Sequence, residues 1–336
     1  MLKRATLFAV TLAIAPAAYA SSNTIVLGAT ANQPKGPGHG RVLFIDPATR
    51  TASSASFAKA GTLAGNSFYA GYDAATKTIF VPSPVGRVTV LNEKTGHRVG
   101  TFSTIKGARV ADVLGQKKLL TVLSGKSLAA YSLPGHTPLF TIPVGGNALA
   151  TNRSETKLFV GGNMDRKITI VDIPSGRIAG TYPVAGSSDL LMARGNLFSA
   201  DIKTGVMSVV NTATGKVTRI KTPEVDPHFS YAAIPHATAG FMQLAKSPDQ
   251  QVVYSAGFSG HILKFSAEHP KYLGEIPVRA GEGMSKLSGL AIVQVGKDAL
   301  VTVENRHEAA LVDLKNGKIL HVFKGDSSNR WVVARS

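Results

Sequence analysis

Five of the nine histidines in this chain, His39, His228, His236, His261 and His307, fall in polar segments between apolar runs. Neutral imidazoles brought together from separate segments suit copper, zinc or haem iron. His228 and His236 share one segment, "DPHFSYAAIPHATAG", and His307 in "ENRHE" is the third member of that candidate metal set. His97, His136 and His269 read as turn residues and His321 as an outer-strand residue, all four in solvated roles.

A second chemistry draws on the same segments. Arg41, Arg166, Lys167 and Arg306 lie in or beside them, together with His39, His261 and His307, and Phe229, Tyr231 and Phe258 offer rings on which bases could stack. That set suits an anionic ligand or polymer, with weak, non-specific nucleic-acid binding as one form of it. A third chemistry, lactonase-type hydrolysis, needs several inward carboxylates around a metal ion. Its candidates Asp165, Asp201, Asp226, Glu282 and Glu304 are dispersed, and no acid–base pair stands out. Other motifs fail on context. "SGKS" at Ser124 to Ser127 has Leu120 where a phosphate loop needs its first Gly, "GPGHG" lacks a strand-to-helix setting, and in "GFSGH" the Gly after Ser259 comes one position too early for a nucleophile elbow.

Composition narrows the field further. There is no cysteine, which removes disulfides, thiolate metal sites, cysteine nucleophiles and c-type haem attachment. The formal charge of +17 favours anionic partners. Residues 1–20 place Lys3 and Arg4 before an apolar run and end in Ala18-Tyr19-Ala20, the pattern of a secretory signal peptide. Its loss would remove two of the positive charges, leaving +15. The expected mature protein is residues 21–336, periplasmic or secreted, monomeric and without a transmembrane segment.

The elements that must position these residues repeat. "KITIVDIPSGRIAGTYPV", from Lys167 to Val184, reads as a hairpin in which Asp172 opens the turn with its carboxylate and Gly176 closes it at positive φ. The same pattern recurs seven times, with the turn-opening residue at Asp46, Asn92, Ser132, Asp172, Asn211, Ser266 and Asp313. Steps of 46, 40, 40, 39, 55 and 47 residues, with strands upstream of each hairpin and weak helical periodicity, predict an all-β, seven-bladed β-propeller of four-stranded blades. "NTIVLGAT" matches a second strand with no first strand before it, and "RWVVARS" an inner strand with no blade after it, so the first blade should be closed by strands from both termini. On this topology the five histidines share one face, and two of them sit in the insertion that makes one step 55 residues long.

The repeats "LFVGGNMDRKITIVDIPSGRI" and "LVTVENRHEAALVDLKNGKIL" resemble the YVTN-repeat family of bacterial periplasmic seven-bladed β-propeller proteins. The resemblance covers residues 21–336 and implies the fold. Its members include DNA-binding proteins, lactonase-like enzymes, cell-surface proteins and relatives of cofactor-bearing oxidoreductases. Three readings follow in order: a non-catalytic binding module with a basic, histidine-containing loop face, a metal or tetrapyrrole carrier, and a lactonase-type hydrolase.

Overall fold

The computed structural model describes residues 24–29, 41–56, 67–162, 165–230, 236–279, 285–293, 296–325, 327–328 and 330–335. The expected signal peptide, His39, Tyr231 and Glu282 lie outside them. Seven four-stranded antiparallel sheets form the blades of a β-propeller. From the channel outwards, blade 4 runs Ala148–Thr151, Lys157–Gly161, Lys167–Asp172 and Arg177–Pro183. The hairpin "KITIVDIPSGRIAGTYPV" is thus its outer half.

Each blade packs on both neighbours, so the middle strands bury residues on both faces. Ile168, Thr169, Ile170 and Val171 are all buried, whereas the outer strand of the same blade is mostly exposed. This explains why middle strands read as continuous apolar runs. Seven apolar clusters sit between adjacent blades. In one, Leu27 and Val42 of blade 1 meet Ile79, Val81 and Leu91 of blade 2. In another, Leu43 and Trp331 of blade 1 meet Leu300 and Leu311 of blade 7, which closes the ring.

The turns are built as their residues require. Ser175 donates its backbone N–H to the Asp172 carboxylate at 2.9 Å, and Gly176 takes φ +63°. A Cβ at Gly176 would also lie 2.8 Å from the Phe140 ring of blade 3, so turn geometry and close packing select glycine together. The exposed outer strands carry a further device. In blades 2, 3, 4, 6 and 7 their register slips by one residue, leaving Val99, Leu139, Ala179, Leu273 and Leu320 as β-bulges. A bulge bends the strand and spoils its free edge as a template for another chain.

Blade 1 is closed by both ends of the chain. Trp331–Arg335 is its inner strand and pairs antiparallel with Thr24–Ala29, Gly28 opposite Trp331 and Val26 opposite Val333. The indole fits because two neighbours lack side chains: a Cβ on Gly28 or Gly289 would approach it to 2.5 or 2.7 Å. Its Nε1 donates to Thr302 Oγ1 at 2.9 Å. The Gln243 side chain, from blade 6, accepts from the Trp331 N–H at 2.7 Å and the Leu290 N–H at 3.0 Å, and donates to the Trp331 carbonyl at 2.6 Å.

Removing residues 330–336 is expected to cause aggregation or a much lower unfolding temperature. Trp331→Ala alone should cost about 3–5 kcal/mol, as large buried aromatics do. Thermal unfolding followed by circular dichroism is the check, and an unchanged transition in the truncated chain would refute the closure.

Candidate functional site

Successive strands of a blade run antiparallel away from the channel. The second-to-third turns and the blade-to-blade connections therefore emerge on one face, here the connection face, and the remaining turns on the other, the turn face. The connection face carries the described candidate histidines, His228, His236, His261 and His307. It also carries the connection between blades 5 and 6, residues 222–240, of which 222–230 and 236–240 are described.

Two carboxylates hold that connection down. Glu224, 1% exposed, accepts from the N–H groups of Gly240 at 3.0 Å and Ser259 at 2.9 Å, and from Ser259 Oγ at 2.5 Å. Ser259 Oγ is also 2.9 Å from His261 Nδ1, whose Nε2 lies 3.7 Å from Glu275. Burial raises the Glu224 pKa, and the hydrogen bonds from Ser259 and Gly240 oppose the rise. Asp226 ties the two ends of the inner part of the connection, accepting from the N–H groups of His228 at 2.8 Å and Thr238 at 3.0 Å. Those donors hold its pKa below the usual carboxylate range, Thr238 most strongly. Lys286 is buried with its Nζ 5.4 Å from the Phe258 ring, and desolvation lowers its pKa against the pull of Glu304 and Asp226.

The candidate residues separate into groups. His228, His236 and His307 are exposed, the last in a left-handed conformation at φ 52° after a short 3-10 turn. His261 is half-buried between Ser259 and Glu275. Among the described residues, no three of His, Asp and Glu stand close enough to hold a metal ion. Phe229 and Phe258 are buried with Ile202 and Ala237, so these rings anchor the connection rather than offer a stacking surface. Arg166, Lys167 and Arg306 are exposed, and Arg41, half-buried, bonds Ser54 across its hairpin. On the turn face His136 departs from a solvated role. Its ring stacks on Phe102 with centroids 4.4 Å apart, and burial lowers its pKa.

On the connection face the described loop acids lie deep and most of the described basic residues lie out, Lys286 and Arg330 excepted. Its described loop acids are Asp165, Asp201, Glu224, Asp226 and Glu304, and none is exposed. Asp201 takes the Lys203 N–H at 3.1 Å and the Thr204 hydroxyl, and Glu304 takes the Ser288 hydroxyl at 2.5 Å. Carboxylates accept from the N–H and O–H groups that loops leave over, whereas Lys and Arg only donate. Lys106, Lys126, Arg166, Lys203, Arg279, Arg306 and Lys324 are all exposed in loops spread around the ring. The turn face is mixed, with Asp249 and Glu268 exposed among its basic residues.

Sequence reasoning missed Glu224, Ser259 as a partner of Glu224 and His261, and Lys286. Only the length of the 222–240 insertion pointed to them, because no local spacing marks a contact between residues 35 positions apart such as Glu224 and Ser259.

No family model matches the chain, and no curated protein matches it. Solved structures do. A chain of hydrazine synthase from Kuenenia stuttgartiensis aligns with a TM-score of 0.66 at 11% identity, over 81% of this chain and 96% of that one. A chain from a structure of U3-55K aligns with a TM-score of 0.63 at 10% identity, over 78% of this chain and 83% of that one. At these identities the likeness is one of fold, and the chain is a seven-bladed β-propeller.

Because folding raises the Glu224 pKa, the neutral acid is the form folding favours. Its contribution is full below the unfolded value of about 4.3 and is lost as pH rises through the folded value. The unfolding temperature of Glu224→Gln relative to the parent should therefore rise between about pH 4 and pH 7. A constant difference across that range would refute the assignment. Glu224→Ala should lose about 1–3 kcal/mol at any pH, by stranding its donors.

Proposed function

We propose that this chain is an exported, non-catalytic binding module whose connection face takes an anionic polymer. The observation that supports the reading is the distribution of charge: exposed Lys and Arg from several blades surround loops whose described acids are buried or half-buried. A field of one sign over a broad face attracts polyanions and steers their approach. Arg166, Lys167 and Arg306 remain the central contacts, joined by Lys106, Lys126 and Lys203. With Phe229 and Phe258 buried, recognition rests on charge rather than base stacking, which favours non-specific binding. The signal-like residues 1–20 and the repeats that resemble periplasmic YVTN-type propellers support export. Among the described residues no helix is long and apolar enough to cross a membrane.

Random-sequence single-stranded DNA serves as the test polymer. Affinity should fall steeply from low to moderate salt, each neutralised phosphate adding about 0.7 to the logarithmic slope. Lys126→Glu combined with Arg166→Glu should weaken binding roughly tenfold or more and flatten that slope. Lys117→Glu with Lys118→Glu, on the turn face, should change it little. Equal losses from both pairs, or no binding at low salt, would overturn the reading.

A further inference from the structure

The channel is stoppered towards the connection face. Tyr69 of blade 2 donates its hydroxyl to Asp189 of blade 5 at 2.9 Å, three blades away, and the other Asp189 oxygen accepts the Leu244 N–H at 2.7 Å. The Arg330 guanidinium lies 5.5 Å from the Tyr69 ring centroid. Below this layer a cavity of about 510 Å³ extends along the inner strands as far as Ser247, Pro248 and Gln250 in the first turn of blade 6, on the turn face. Leu190, Leu244, Leu290 and Ile292 supply apolar wall, and polar groups, among them those of Tyr72, Gln243 and Gln250, line it in nearly equal measure. A cavity of this size is typical of small-molecule sites.

Two ionisable side chains of opposite charge line it, and they are not equivalent. Lys246 donates to the Met192 carbonyl at 2.9 Å and approaches Gln250 Oε1 at 3.5 Å, so its charge is already served by oxygen. Asp112 lies on the inner strand of blade 3, and no basic side chain forms an ion pair with it among the described residues. Burial, with the charge of Glu155 adding to it, pushes the Asp112 pKa up to about 6. An anion in such surroundings gains most from a cation that brings its own hydrogen-bond donors.

We propose that the channel cavity is a binding site for a small organic amine, its ammonium group paired with Asp112 and its apolar body against the inner-strand walls. The site is separate from the basic face and opposite to it in charge preference. The overall positive field disfavours a cation at long range, but screening limits that field to about 8 Å at physiological ionic strength, and the contact with Asp112 is made in low dielectric.

Trp331 is the sole tryptophan, is 2% exposed and lines the cavity, so its fluorescence reports occupancy. Titration of the intact protein at neutral pH with hexylamine, 1-hexanol and hexanoate separates charge from apolar burial. Hexylamine should saturate a Trp331 signal at least tenfold more tightly than 1-hexanol, and hexanoate should be weakest. Asp112→Asn should bring hexylamine to the level of 1-hexanol without changing the response to the alcohol. The comparison of three ligands on the unmutated chain decides the matter even if Asp112→Asn fails to fold. Equal responses to all three, a preference for hexanoate, or no response to any would overturn the proposal.

Discussion

The ring depends on one seam, where the first and last described strands meet in blade 1. A blade in this fold has no solvated face, so each of the seven interfaces needs both of its sheets. Without Trp331–Arg335, blade 1 would lack its inner strand and the clusters it shares with blades 2 and 7 would lose part of their wall. The Gln243 amide reinforces the seam as a strand would. It offers one acceptor and one donor to the Trp331 backbone while also capping Leu290, so blades 6, 7 and 1 are tied at one point. A buried amide with its acceptor and a donor both engaged costs little to bury, and any register slip in the last strand would leave it unsatisfied.

Loop chemistry explains how a basic composition becomes a basic face. The blade-to-blade connections and the second-to-third turns of this face expose backbone N–H groups that no strand ladder pairs, and these must find acceptors. Asp201, Glu224 and Asp226 supply them, and in doing so they turn inward. The chain has 20 acidic against 37 basic residues, so acids spent on loop closure are not replaced at the surface. The sign of the face is thus partly a by-product of building connections.

Local periodicity made the blades legible. Apolar strands, Asp, Asn or Ser at the head of each turn and often Gly at its close are short-range signals, and the structure uses Asp172 and Gly176 as their types imply. The missing partners of the two termini likewise announced the closure of blade 1. What could not be read is what spans the ring: Tyr69 with Asp189 is separated by 120 positions and Gln243 with Trp331 by 88, and nothing in local spacing records such pairs. Phe229 and Phe258 show a different failure. Aromatic residues in polar loops look available to a ligand, but a long connection needs an apolar foot of its own, and Phe229 from the connection with Phe258, Ile202 and Ala237 provides it.

The Tyr69–Asp189 layer also separates the channel cavity from the connection face. A propeller channel is lined by strand edges whose backbone groups are partly unpaired, and an open one would join the two faces through a polar, hydrated bore. Here the stopper presents a paired tyrosine and carboxylate, with the carboxylate pKa raised by burial against the attraction of Arg330. The groups that satisfy one another across the channel cannot also serve a ligand. What remains lies to either side: exposed cations on the connection face, and on the turn side a cavity where Asp112 has no ion-pair partner among the described residues. The polymer proposed for the connection face would thus rest on loops held by internal carboxylates, above this layer rather than in the channel.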